Sequence, residues 1–93
     1  MGATTVHITI HGQVHGVGYR AWAADEAESL GLSGWVRNCP DGTVEAVVSG
    51  DPASVQTFVA LCRDGPRAAL VFDVKTEPYD DPPPNGFKVL PTA

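Results

Sequence analysis

Residues 12–20 read Gly-Gln-Val-His-Gly-Val-Gly-Tyr-Arg and join an alternating apolar segment to a segment with helical spacing. Gly16 and Gly18 leave the main chain free to adopt conformations that a Cβ forbids, so successive N–H groups converge where a helix begins. These orphan N–H groups and the positive end of the helix dipole favour an anion there. Arg20 adds a planar, permanently charged fork that matches phosphate geometry. The stretch therefore predicts a phosphate-binding loop; the alternative is a glycine-rich connection with a surface arginine.

The segments on either side of this stretch predict a strand and a helix. Apolar and polar residues alternate over residues 5–11, which is the period of a half-buried strand. His7 and His11 fall on its polar face with no third ligand nearby, so we expect no metal there. Apolar residues recur at helical spacing over residues 19–30, and Gly31 is placed to end that helix.

The remaining two thirds of the chain predict a hairpin, a second helix and two further strands. Turn residues, an Asp-Pro helix start and a Gly-Pro helix end mark the boundaries. The predicted elements are strands at 33–39 and 43–49 joined by a turn at 40–42, a helix from 52 to the Gly-Pro at 65–66, a strand at 70–75, a loop at 79–86 and a short strand at 87–90.

This order of elements is the signature of an α+β, ferredoxin-like split βαβ sandwich (βαββαβ), in which two helices pack on one face of an antiparallel sheet. A right-handed crossover leaves the first and second strands parallel, with the third between them. The ends of those two strands then meet at one rim, about 10 Å apart. Asn38, which ends the second strand, is therefore expected to face the anion that Arg20 holds.

Length, composition and charge limit the possible functions. The chain has 93 residues, 43% of them hydrophobic, which predicts a single domain over residues 1–93. A net charge of -5 argues against binding to nucleic acids or anionic membranes. No secretory leader or apolar run long enough for a membrane span is found, so we expect a cytoplasmic protein. Cys39 and Cys62 have no metal-ligand spacing; the pair could form a disulfide in a chain of this length, but we expect free thiols in a reducing cytosol.

Taken together, the two glycine-rich blocks resemble a known enzyme family. The stretch at 12–20, followed by Leu-Gly-Leu-Ser-Gly-Trp-Val-Arg-Asn at 30–38, Asp-Gly-Thr-Val-Glu at 41–45 and Gly-Pro at 65–66, closely resembles acylphosphatase over nearly the whole chain. The resemblance implies hydrolysis of acyl phosphates, such as acetyl phosphate, carbamoyl phosphate or bisphosphoglycerate, without a metal or cofactor. It places Arg20 and Asn38 at the catalytic positions. It assigns phosphate binding to the main-chain amides of His15, Gly16, Val17, Gly18, Tyr19 and Arg20.

Three residues depart from the family pattern. His15 stands where the family commonly has Gln, and it puts a titratable group beside the loop, so phosphate affinity is predicted to fall as the pH rises and His15 loses its proton. Gln13 stands where a basic residue is common, which removes one long-range attraction for the anion. Tyr19 replaces a frequent Phe conservatively.

Three other functions are alternatives to hydrolysis. Residues 16–21 fit a dinucleotide-binding fingerprint formally, but Arg37 and Asn38 stand where that site needs an acidic residue. An RNA-recognition module of this topology needs exposed aromatics on its first and third strands, which are absent here. A regulatory domain that only senses a small anion uses the same loop, and turnover alone separates it from an enzyme. For an enzyme, we expect a small-molecule acyl phosphate substrate, competitive inhibition by inorganic phosphate and a monomer.

Overall fold

The computed structural model describes residues 2–81 and 85–93, in which five strands and two helices follow the predicted order. Their bounds are β1 Thr4–Gln13, α1 Tyr19–Ser29, β2 Ser33–Asn38, β3 Val44–Gly50, α2 Pro52–Asp64, β4 Leu70–Pro78 and β5 Phe87–Val89. The three prolines of the predicted loop, at 82–84, lie outside the described residues. No helix of the described residues is long and apolar enough to cross a membrane.

The strands form one sheet in the order β4-β1-β3-β2-β5. β1 and β2 both pair antiparallel with β3 and therefore run in the same direction, as the crossover rule predicted. This is the predicted ferredoxin-like arrangement. The predicted closing strand, β5, pairs parallel with β2 and so makes the sheet mixed rather than wholly antiparallel. Because of these pairings, the ends of β1 and β2 reach the same rim of the sheet.

The core lies between one face of the sheet and the two helices. Ile8 and Ile10 of β1 and Phe58 of α2 have no exposed surface, and burying each such side chain stabilises the fold by roughly 1.5 to 3 kcal/mol. On α1 the buried positions are largely alanines, which let the helix approach the sheet closely. The core residues are Ile8, Ile10, Val14, Tyr19, Ala23, Ala27, Leu32, Val36, Val44, Ala46, Val48, Val55, Phe58, Cys62 and Val74.

Both helices have the termini that the sequence predicted. α1 ends at Ser29, and the φ of 71° at Gly31, just beyond the C-cap, allows the N–H of Leu32 to reach the carbonyl of Ala27 at 2.9 Å. α2 begins at Asp51, whose carboxylate accepts a hydrogen bond from the N–H of Ala53 at 3.1 Å. These contacts satisfy main-chain groups that a helix leaves without partners, and they fix where each helix starts or stops.

The predicted alternation on β4 is broken by a bulge. The register between β1 and β4 shifts at His11 and Gly12, so that His11 pairs with Asp73 and Gly12 pairs with Val71. Phe72 is the extra residue and is 68% exposed on this edge strand. A Cβ on Gly12 would lie 2.1 Å from a carbonyl oxygen of β4, so only glycine fits there.

The face of the sheet without helices carries a polar network around Glu45. The carboxylate of Glu45 accepts hydrogen bonds from His7 Nε2 at 2.5 Å and from Arg37 Nε at 2.7 Å. Burial raises the pKa of Glu45, but these two donors more than offset it, so that the pKa lies below its usual range. Arg37 also lies over the ring of Trp35, 4.9 Å from its centroid. Arg37 therefore lies on the face of the sheet without helices, where Glu45 and Trp35 hold it.

Candidate active site

The loop between β1 and α1 is shaped by two glycines in the left-handed region. Gly16 has a φ of 70° and Gly18 a φ of 78°, and a Cβ at either position would meet nothing within 4 Å. Glycine is therefore favoured here by main-chain conformation and not by lack of space. Val14, which is almost fully buried, fixes the start of the loop in the core.

The N-terminus of α1 is open to a ligand. Gly18 is its N-cap and supplies no side-chain hydrogen bond, and the first turn has no acidic residue. The first intrahelical bond runs from the N–H of Trp22 to the carbonyl of Gly18 at 3.0 Å, so the N–H groups of Tyr19, Arg20 and Ala21 have no partner within the helix. Such a terminus favours an anion.

Arg20 and Asn38 line the same cavity. Its volume is about 280 Å³, and it opens at the rim where β1 and β2 end. Among the residues that the structure describes, Arg20 forms no salt bridge, in contrast to Arg37, which is paired with Glu45. The lining residues are Val14, Gly16, Gly18, Tyr19, Arg20, Ala21, Asn38 and Val89. The loop residues His15 and Val17 are not among them.

The main chain of Asn38 is held on both sides. Asn38 ends β2 opposite Val44 of β3, and its carbonyl accepts a hydrogen bond from the N–H of Ala93 at 2.9 Å. The segment after β5 therefore extends the pairing with β2 as far as Asn38. This contact and the position of Val89 in the cavity wall were not predicted from the sequence, because the short strand gave no indication of its neighbour.

The turn after Asn38 is tightly built. The carboxylate of Asp41 accepts hydrogen bonds from the N–H of Thr43 at 3.0 Å and from its hydroxyl at 2.6 Å. These bonds hold the pKa of Asp41 below its usual range. Gly42 has a φ of 92°, and its N–H reaches the carbonyl of Cys39 at 3.1 Å. Asp41 thus stabilises the turn, as predicted.

His15 turns its ring towards this turn. Its Nε2 lies 2.7 Å from the carbonyl oxygen of Thr43. A carbonyl only accepts, so Nε2 carries the hydrogen and donates it. The predicted effect of His15 titration on phosphate affinity stays a prediction.

Tyr19 makes a hydrogen bond that a Phe at this position could not make, and the sequence analysis did not predict it. Its ring is almost fully buried at the start of α1, and its hydroxyl donates to the carbonyl of Cys62, in the last turn of α2, at 2.7 Å. In a helix that carbonyl would accept from residue 66, which is Pro66 and has no N–H. A proline four residues after Cys62 was the available sequence signal.

The two cysteines are free, one buried and one half-buried, as expected. Within residues 2–81 and 85–93, no group of three or more His, Cys, Asp and Glu side chains is arranged to hold a metal ion. His7 is engaged by Glu45 and stacks on Tyr79 with ring centroids 6.0 Å apart.

Comparisons with known proteins identify the same family over nearly the whole chain. The profile of the acylphosphatase family matches residues 6–89. An acylphosphatase of Azorhizobium caulinodans is 52% identical over 90 residues, which cover 96% of this chain and 97% of that protein. An acylphosphatase 2 of Ralstonia nicotianae is 50% identical over 89 residues, 95% and 94% of the two chains. The solved structure of an acylphosphatase from Coxiella burnetii has a TM-score of 0.91 at 34% identity and covers 96% of this chain and 94% of that one.

Proposed function

The chain belongs to the acylphosphatase family and hydrolyses acyl phosphates, and we propose that it does so with the main-chain amides of residues 15–20, the guanidinium of Arg20 and the side-chain amide of Asn38. The products are a carboxylate and inorganic phosphate. The observation that carries this assignment is that Arg20 and Asn38 line one cavity at the open N-terminus of α1.

The chemistry of the substrate decides which groups are needed. The leaving group of an acyl phosphate is a carboxylate with a pKa of roughly 4 to 5, which departs without a proton donor. The remaining task is to stabilise a phosphoryl group whose charge spreads over its equatorial oxygens. Main-chain N–H groups and the fork of Arg20 supply that stabilisation, and in this proposal no metal ion takes part.

Asn38 has the second task, which is to place the attacking water. Its amide both donates and accepts hydrogen bonds, so it orients a water in line with the scissile bond. It is neutral and does not repel the phosphate, as a carboxylate would. The proton of the water passes to an oxygen of the substrate's own phosphoryl group.

The cavity also has room for the acyl group. A phosphoryl group with its oxygens is about as large as five water-sized groups of roughly 30 Å³ each, so it fills about half of the 280 Å³ cavity. The rest of the wall includes the apolar side chains of Ala21 and Val89. We place the acyl group against them, which suits a small apolar acyl group such as that of acetyl phosphate.

Substitution of Arg20 tests the first assignment. An arginine aimed at a transferring phosphoryl group is worth about 10³ to 10⁵ in rate, or about 4 to 7 kcal/mol. We expect Arg20→Ala to lose nearly all hydrolysis of benzoyl phosphate. Arg20→Lys should recover little, because a point charge cannot form two parallel hydrogen bonds. Arg67→Ala, at an exposed arginine outside the cavity, is the matched control.

Asn38→Ala tests the second assignment. We expect kcat to fall while the inhibition constant of inorganic phosphate, measured as a competitive inhibitor, changes little, because the water and not the anion has lost its partner. Loss of phosphate inhibition with normal kcat would contradict this role. Turnover of benzoyl phosphate by the wild type, retained in a chelator, separates a metal-free enzyme from a domain that only senses an anion.

A monomer in the cytoplasm is the simplest setting for this activity. All the residues that line the cavity belong to one chain. Size-exclusion chromatography with light scattering tests the monomer: a mass of about twice 9.8 kDa would contradict it.

A further inference from the structure

The two halves of the proposed site, the phosphate-binding loop and Asn38, belong to different elements that are not neighbours in the sheet. The phosphate-binding loop follows β1, whereas Asn38 ends β2, and β3 lies between those strands. The reaction nevertheless depends on the distance between the bound phosphoryl group and the water that Asn38 holds. A direct contact between the two halves would fix that distance.

The ring of His15 makes such a contact. Its Nε2 donates to the carbonyl of Thr43 at 2.7 Å, and the same carbonyl accepts the N–H of Cys39 at 2.9 Å. Cys39 directly follows Asn38. The carbonyl oxygen of Thr43 therefore connects Cys39, next to Asn38, with His15, the first residue of the phosphate-binding segment. This carbonyl is a firm anchor, since the carboxylate of Asp41 holds both the N–H and the hydroxyl of Thr43.

The side chain of His15 does not line the cavity, so its ring does not act on the substrate directly. Both the neutral ring with its hydrogen on Nε2 and the protonated ring carry the N–H that Thr43 accepts. The contact therefore requires a donor at that distance from the main chain, and it does not require a charge.

We propose that His15 is a positioning residue that sets the phosphate-binding loop at its working distance from Asn38 by hydrogen-bonding the carbonyl of Thr43. This proposal rests on the proposed function, because it assumes that Asn38 places the water. Displacement of reacting groups by about 1 Å costs up to about 10²-fold in rate. Loss of one hydrogen bond should displace the loop by part of this distance, so we expect the loss of its donor to lower kcat about tenfold.

Three variants at position 15 separate the donor from the ring. His15→Ala removes the donor, His15→Gln places an amide N–H near the position of Nε2, and His15→Asn carries the same amide on a shorter chain. We expect kcat for benzoyl phosphate to fall about tenfold in His15→Ala and His15→Asn and to stay within about twofold in His15→Gln. The inhibition constant of inorganic phosphate, compared at about pH 9 so that a charge on residue 15 plays no part, should change less than threefold in all three. Thermal unfolding of each variant confirms that the protein is folded.

A double-mutant cycle with Asn38 gives the decisive result. If His15 acts by positioning Asn38, His15→Ala should have little further effect on kcat in an Asn38→Ala background. Additive losses, or an unchanged kcat in His15→Ala, would overturn the proposal. An Asn38→Ala variant with normal kcat would instead overturn the proposed function itself, so the two failures are distinguishable. His11→Ala is the control: His11 is paired in β1 through its main chain, and no hydrogen bond of its side chain is found among residues 2–81 and 85–93.

Discussion

The hydroxyl of Tyr19 should be worth a measurable part of the stability of the fold. Tyr19→Phe keeps the buried ring but removes the only donor described for the carbonyl of Cys62, at 2.7 Å. Pro66 has no N–H to replace it, and Tyr19 and Cys62 are each only 1% exposed, so bulk water does not reach this carbonyl. A lost hydrogen bond costs about 1 kcal/mol, and a buried acceptor left without a partner costs about 1 to 3 kcal/mol.

We therefore expect Tyr19→Phe to lower the free energy of unfolding by about 2 kcal/mol, or Tm by about 10 °C for a domain of this size. Urea titration followed by fluorescence measures the first quantity, and calorimetry the second. Tyr79→Phe is the matched control, since Tyr79 is half-buried and stacks on His7 through its ring. Its stability should stay within about 0.5 kcal/mol of the wild type. An equally small change in Tyr19→Phe would refute the argument from the unpartnered carbonyl.

Three further substitutions test other parts of the structure. Burial raises the pKa of Cys62 to about 12, so the unfolded chain releases this proton at lower pH than the native one, and stability should fall as the pH rises above about 9. In urea titrations between pH 9 and 11, Cys62→Ala should lose about 1 kcal/mol less per pH unit than the wild type; parallel slopes would contradict this. Because the pKa of Glu45 is lowered in the folded protein, its pH dependence runs the other way. The ionised carboxylate stabilises the fold fully above the usual pKa range of Glu, and this stabilisation is lost as the pH falls. Glu45→Gln should therefore cost about 1 kcal/mol at pH 7 and progressively less as the pH falls below the usual range of Glu, and a constant difference would show that its charge is not involved. Gly34→Ala would put a Cβ 1.8 Å from the carbonyl oxygen of Val47, and it should destabilise the protein by at least about 3 kcal/mol or prevent folding, whereas Gly2→Ala, with open space around it, should have no effect on the same urea midpoint.

The sequence predicted best those features that depend on neighbouring residues. Alternation identified β1, and the glycine and aspartate at helix ends placed the limits of α1 and α2 to within about one residue. The shared rim of Arg20 and Asn38 followed from the handedness of crossover connections, a rule that needs only the order of elements. The fold and the placement of Arg20 and Asn38 at one cavity were therefore predictable from the sequence.

Features that depend on pairing between distant segments were not predictable in the same way. The bulge that exposes Phe72 arises from the register of β4 against β1, which no local pattern on β4 records. β5 has only three residues, too few for a pattern of alternating apolar and polar residues, so the sequence does not indicate that it pairs with β2. The contact of His15 with Thr43 joins residues 28 positions apart, and each residue alone is typical of a loop.

The pairing of β5 with β2 also bears on when activity arises during synthesis. Val89 completes the cavity wall, and the N–H of Ala93 holds the carbonyl of Asn38. A nascent chain that has emerged from the ribosome only as far as β4 contains Arg20 and the glycine-rich loop. It lacks Val89 in the cavity wall and the hydrogen bond from Ala93 to Asn38. Turnover of substrate by ribosome-bound chains of increasing length would therefore begin only after the last strand is released, so catalysis itself reports that the final segment has docked.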